Sequence, residues 1–167
     1  MYAQSLQCLR LPVSELQPMQ PTLQLQLPSA LIELSMGLFV VRFKPEVVLD
    51  AALARRVETA RRELLPGADN PVLVLVPKDI ALVDQEALFW MGSAEAMEGV
   101  SARAVVVPNS LLVIRDRIRW ALFRPAVPFR VFRNPQVGKS WVLDAWYTQR
   151  LGHEMDALDT LDSEGFS

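Results

Sequence analysis

One cysteine (Cys8) and one histidine (His153) serve the whole 167-residue chain, and that scarcity removes more chemistry than any other property of it. A lone Cys cannot form an intramolecular disulfide and fits a reducing compartment. One His and one Cys, far apart, leave few ways to assemble a His-based nucleophilic triad. Transition-metal sites usually draw on two or more such ligands, so no stoichiometric metal and no cofactor are expected. His153 sits beside Glu154 and Asp156 in an acidic stretch without EF-hand spacing, and a solvated tail accounts for it. Long apolar runs are missing too. None approaches the roughly 20 residues that span a bilayer. The opening residues, MYAQSLQCLRLPVSELQP, have neither a basic start nor a continuous apolar segment, which speaks against a secretory signal. The expectation is a cytoplasmic protein of bacterial type that makes no membrane contact.

Glycine is also sparse, at seven residues, and none forms a phosphate-binding loop. Gly138-Lys139-Ser140 matches the last three positions of one, but the first glycine of that motif falls on Arg133. Asn134–Pro135 moreover opens a helix at that point, so an ordinary helical turn is expected.

What the chain does have is apolar surface to bury. Half of it is apolar and 22% charged, the balance of a globular domain with a sizeable core. The net charge of −2 conceals an asymmetry. Residues 101–150 hold nine Arg or Lys against two acids, whereas residues 151–167 hold five acids and no Arg or Lys. A basic quarter followed by an acidic tail points to self-masking or to a contact between subunits.

Three regions follow from the pattern. Residues 1–21 are a Gln/Pro-rich extension, 22–150 an α/β domain, and 151–167 an acidic tail. Thr22–Leu27 alternates Leu with Gln, the period of a half-buried strand. Leu31–Leu34 and Leu38–Phe43 flank Met36–Gly37, a hairpin turn. Leu49, Leu53, Val57, Ala60 and Leu64 recur at helical spacing, and Pro66–Gly67 stops that helix. Val72–Val76 is an unbroken apolar run, the mark of a strand covered on both faces. A helix from about Asp84 to Ser93 follows, with Asp84 as its N-cap and Glu86 suited to the dipole. Ala102–Val107 is the next buried strand. A helix then carries Leu111, Ile114, Ile118 and Leu122 on one face. Phe129–Arg133 alternates as a strand, and Asn134–Pro135 starts the last helix. Strands separated by helices need crossover connections, so the fold predicted is α/β: one mixed sheet, an N-terminal hairpin and about four helices.

This order of elements resembles the STAS-like fold of SpoIIAA-type anti-anti-sigma factors, and more closely a group of small uncharacterised bacterial SpoIIAA-like domains. The likeness is carried by LFVVRFKPEVVLD, NPVLVLVPKDIALVDQEAL, SARAVVVPNSLLVIRDRI and PAVPFRVFRNPQVGKSWVL, together roughly residues 30–145. None of these is a catalytic motif. In the resembled factors a phosphorylatable Ser opens the helix after the central strand. The matching switch-turn position here reads Asp84-Gln85-Glu86. Gln85 has no hydroxyl, and Glu86 already supplies a charge where phosphate would add one, so no phosphorylation at this turn is expected.

Arg115, Arg117 and Arg119 with Trp120 form the densest basic–aromatic group, which Arg103, Arg130 and Arg133 can extend. Nucleic acid is disfavoured as its partner because the chain as a whole is acidic and the apolar face of that helix belongs to the core. Arg and Trp are enriched at protein contacts. Phe89, Trp90 and Met91 are consecutive on one helix and cannot share a direction, so at least one meets a loop, a ligand or a partner. Phe89, Trp90, Arg115, Arg119 and Trp120 are therefore the candidate contact surface. An Asp79/Asp84 acid–base pair is the weak enzymatic alternative, since capping already explains Asp84. The reading is a non-catalytic binding or regulatory module that acts through protein contacts and self-associates. The alternative is a carrier or sensor of a small apolar ligand, with a pocket lined by residues such as Phe89, Trp90 and Phe123.

Overall fold

Residues 22–67, 69–107 and 127–164 are described in the computed structural model, with side chains in the last segment as far as Gly152. Their elements run β1 (Leu23–Gln26), β2 (Ala30–Ser35), β3 (Leu38–Phe43), β4 (Val48–Leu49), α1 (Ala51–Leu64), β5 (Asn70–Leu75), β6 (Leu82–Val83), α2 (Gln85–Met91), β7 (Val100–Val106), β8 (Phe129–Phe132) and α3 (Pro135–Glu164). Six strands form one sheet in the order β1-β2-β3-β5-β7-β8. It is antiparallel through its first three strands and parallel through the rest. This is the mixed α/β sheet with an N-terminal hairpin that the sequence predicts. The expected extension 1–21 and the helix over Leu111–Leu122 lie outside the described residues.

The hairpin forms where the turn chemistry demands it. Met36 and Gly37 both take positive φ, 51° and 79°, as a two-residue type I′ turn requires. Gly37 also sits close beneath α3, where a Cβ would meet the Trp146 side chain at 3.0 Å. Beyond the hairpin the central strands β5 and β7 are buried along nearly their whole length because helices cover both faces. Val41, Val74, Val105 and Val131 align across β3, β5, β7 and β8 and are all buried. They face α1 and α2, which contribute Leu53, Ala54, Val57, Ala87 and Leu88 to the same core. The opposite face is smaller and belongs to α3. There Leu73, Ala102, Ala104, Val106 and Phe132 pack against Val142. The two alanines and Gly138 let this helix lie close, since a Cβ on Gly138 would meet Val106 Cγ2 at 3.0 Å. Gly138 thus faces the sheet, whereas Lys139 and Ser140 beside it are exposed.

Four expectations are adjusted. Leu49 does not begin the first helix. It lies fully buried in β4, and the stripe starts at Leu53. The pair β4 and β6 is unpredicted, since two residues carry no periodicity. Helix α2 ends at Met91 rather than Ser93, with the Gly92 N–H donating back to Phe89 and Trp90 carbonyls. Finally, α3 runs on through Glu164, so no break in the helix marks residue 150. Its start is as predicted: Asn134 Oδ1 accepts from Gln136 N at 2.8 Å, and Pro135 opens the first turn.

Candidate functional site: a groove between two helix starts

The two shortest strands position the site. Val48 pairs with Leu82 and Leu49 with Val83, in parallel, and Asp84 N donates to Leu49 O at 2.8 Å. The residue after each strand is a helix cap. Asp50 Oδ1 accepts from Leu53 N at 2.7 Å, and Asp84 Oδ1 accepts from Glu86 N at 3.0 Å. Pairing β4 with β6 therefore sets the starts of α1 and α2 side by side. Asp84 is the cap the sequence predicts.

Between the helices lies an open groove of about 490 Å³, lined by Ala51, Arg55, Gln85, Glu86, Phe89, Trp90 and Ser93. Two residues of the expected contact surface, Phe89 and Trp90, come together here with Gln85 of the switch turn. Their consecutive positions split as helix geometry requires. Phe89 is 36% exposed, whereas Trp90 and Met91 are buried. Trp90 forms part of the wall and is held twice: its Nε1–H donates to Glu95 Oε2 at 3.1 Å, and the Arg55 guanidinium sits 5.4 Å from its ring centroid. No His or Cys lines the groove, and Ser93 Oγ is occupied, accepting from Ala96 N at 3.3 Å.

Behind the groove stands a buried ionic network that the sequence reading missed. Arg103, 1% exposed in the middle of β7, donates from Nη2 to Glu58 Oε2 at 2.8 Å and to Ala96 O at 2.9 Å. Its Nη1 donates to Met91 O, the end of α2, at 2.9 Å. Arg61 Nε donates to the other oxygen, Glu58 Oε1, at 2.7 Å, and its Nη groups reach Glu98 O and Gly99 O. Arg62 extends the set outward, to Glu98 Oε2 at 3.0 Å and to Glu95 O. Two buried guanidiniums share one buried carboxylate, so the second cation is balanced by carbonyl dipoles of the 92–99 loop. Burial pulls the Arg103 guanidinium below its ordinary pKa, against the opposing pull of Glu58. Such an arrangement fixes geometry more than it adds stability. What it fixes is the loop carrying Glu95, and through Glu95 the indole of Trp90.

This corrects the expectation that Arg103 extends a surface basic patch. A lone Arg inside an unbroken apolar strand was the available signal, because a buried guanidinium needs a partner. Glu58, buried on α1, supplies one. Arg130 and Arg133 are exposed, and Arg130 lies 5.5 Å from the Trp141 ring centroid, on the α3 face away from the groove. Arg115, Arg119 and Trp120 lie outside the described residues. Among those described, no group of three or more His, Cys, Asp or Glu is placed to hold a metal ion, and no helix is long and apolar enough to cross a membrane.

Comparison with known proteins adds the following. A family described as "Domain of unknown function (DUF7793)" matches residues 32–145. No curated protein matches the chain. Among solved structures, a similar one is an uncharacterized protein of the DUF3478 family from Shewanella loihica PV-4, described as having a SpoIIAA-like fold. It shares 12% identity at a TM-score of 0.45, covering 68% of this chain and 92% of its own.

Proposed function

The chain belongs to the DUF7793 family, a domain of unknown function, and from its geometry we propose a non-catalytic binding module that engages a short peptide segment of a partner protein in the α1–α2 groove. One observation carries this reading: the groove is open and amphipathic, with exposed Phe89 beside Arg55, whose guanidinium lies over Trp90. An aromatic wall flanked by an Arg that can still donate suits an apolar side chain followed by a carboxylate. The ion pairs and hydrogen bonds of the described residues leave Arg55 engaged only with the indole. The lining supplies no nucleophile–base pair, which supports binding over catalysis. The carrier reading would need an enclosed apolar cavity of some hundreds of Å³. Among the described residues, which do not include Phe123, the space beneath α1 beside Glu58 and Arg103 amounts to about 10 Å³. That is about the volume of one water probe.

Selection from a random displayed-peptide library tests the proposal. Enriched sequences should pair an aromatic or aliphatic residue with Asp or Glu. Arg55→Ala and Phe89→Ala should each weaken binding about tenfold or more while leaving the circular dichroism spectrum unchanged. Peptides that bind both variants as tightly as the parent would rule out the groove.

A further inference from the structure

We propose that the outer edge of β1 pairs with the β1 of a second copy, joining two sheets into one twelve-stranded sheet across a two-fold axis at Gln24. The backbone register decides which groups face outward. In the two-residue β2–β3 hairpin the closing pair Ser35/Leu38 exchanges hydrogen bonds, so on β2 the odd-numbered residues face β3 and the even-numbered ones face β1. Two observed bonds agree: Lys44 N donates to Ser29 O, and Leu27 N donates to Ala30 O. Ala30, Ile32 and Leu34 therefore bond to Leu27, Leu25 and Leu23 of β1. The N–H and C=O of Gln24 and Gln26 point the other way, out of the sheet. β1 is the terminal strand, and among the described residues nothing pairs with that edge.

Natural edge strands are usually protected by charge, proline or a bulge. β1 has none of these within Leu23–Gln26; prolines stand only outside it, at Pro21 and Pro28. Centring an antiparallel pair on Gln24 satisfies both faces at once. Leu23 then opposes the second copy's Leu25, extending the apolar face on which Leu25 already packs against the core. On the other face Gln24 opposes Gln24. Its Nε2 donates to Glu33 Oε1 at 2.9 Å, and Glu33 Oε2 in turn accepts from Arg42 Nε at 3.0 Å. The carboxylate uses one of the two amide hydrogens and neither lone pair of Oε1, so two such amides can bond reciprocally across the axis. No like charges oppose each other in this register, as they would if β1 carried Lys or Glu. The flanking prolines confine pairing to about five residues. Because both copies use the same edge, the interface closes on itself as a dimer.

The register supplies its own test. Gln24→Pro removes an outward N–H that no bond among the described residues uses, and proline is tolerated at such edge positions. Gln24→Thr keeps the N–H and the strand propensity. In light scattering coupled to size exclusion, the full chain should elute at twice the 18.8 kDa of one chain. Gln24→Thr should remain dimeric at micromolar concentration, whereas Gln24→Pro should weaken association at least tenfold while keeping the parent's circular dichroism. Amide exchange at Gln24 and Gln26 should slow as concentration rises. A monomer at every concentration, a dimer indifferent to Gln24→Pro, or protection of these two amides in a monomer (an edge covered by the chain's own residues) would each overturn the proposal.

Discussion

The two faces of the sheet are built on different principles. The α3 face has a small apolar core: alanines, Val142 and Phe132 meet a helix drawn close by Gly138. The α1–α2 face is larger and holds Glu58, Arg61 and Arg103 within its valine and leucine core. Apolar burial is non-directional and stabilises any arrangement that excludes water. A buried carboxylate shared by two guanidiniums accepts very few arrangements, because each misplaced donor loses its compensation. The polar face also carries the groove, and its carbonyl partners come from the loop that holds Glu95 against Trp90. Precision is therefore invested on the side where a partner would be read.

The largest effect should come from Glu58→Ala, which strands two buried cations. A cost of about 3–5 kcal/mol in urea unfolding is expected, with loss of peptide binding even where the protein remains folded. A cost below about 1 kcal/mol would show the network to be incidental and erase the contrast between the faces.

Phe132→Ala probes the apolar face. The ring is 7% exposed and packs 5.4 Å from Trp141, centroid to centroid. Removing it should cost about 3 kcal/mol, the low end for a buried Phe because Trp141 is itself only half buried. Peptide affinity measured by calorimetry should stay within about twofold of the parent. A larger loss of affinity would mean that the two faces are coupled through the sheet.

Gly138→Ala sets two terms of opposite sign against each other. Helix propensity gains about 1 kcal/mol. Against it, the new methyl meets Val106 Cγ2 at 3.0 Å, with Phe132 Cδ2 at 3.4 Å behind it. Overpacking a well-filled interface costs about 1–3 kcal/mol. The expected net loss is about 1 kcal/mol, read as a lowered Tm. A raised Tm would show that the α3 face yields and is not close-packed.

The fold was largely legible because its elements obey simple periodicities. Val72–Val76 and Ala104–Val107 are continuous apolar runs, Met36–Gly37 has turn chemistry, and Asp84 and Asn134 are caps. Phe89–Met91 signalled the groove through steric impossibility, three large residues that cannot share a direction. β4 and β6 stayed invisible because two-residue strands exist only through their pairing with each other. The network stayed invisible for a related reason. Arg103 and Glu58 are 45 positions apart, and only the packing of α1 on β7 shows that one neutralises the other. Without that contact Arg103 reads as one more member of a basic quarter, when its position in an apolar strand sets it apart from the exposed Arg130 and Arg133.

The smallest expected effect on stability is also the sharpest test of what the network is for. Glu95 is exposed; its Oε2 accepts from Trp90 Nε1, while its backbone carbonyl accepts from Arg62. Glu95→Ala removes the first contact and leaves the second, because a carbonyl survives any side-chain change. A hydrogen bond at an exposed carboxylate contributes about 1 kcal/mol or less, so unfolding should barely move. The indole is another matter. With Nε1 released, Trp90 keeps its core packing and Arg55 above its ring but loses the hydrogen bond that orients it, and its N–H resonance should shift and broaden. Peptide affinity should fall about three- to tenfold, the equivalent of roughly 0.7–1.4 kcal/mol of lost preorganisation. Glu95→Gln, which can still accept from Nε1, should recover most of it. A variant with parent-like affinity and an unmoved indole resonance would show that Trp90 is held by packing alone, and that the polar face serves the fold rather than the groove.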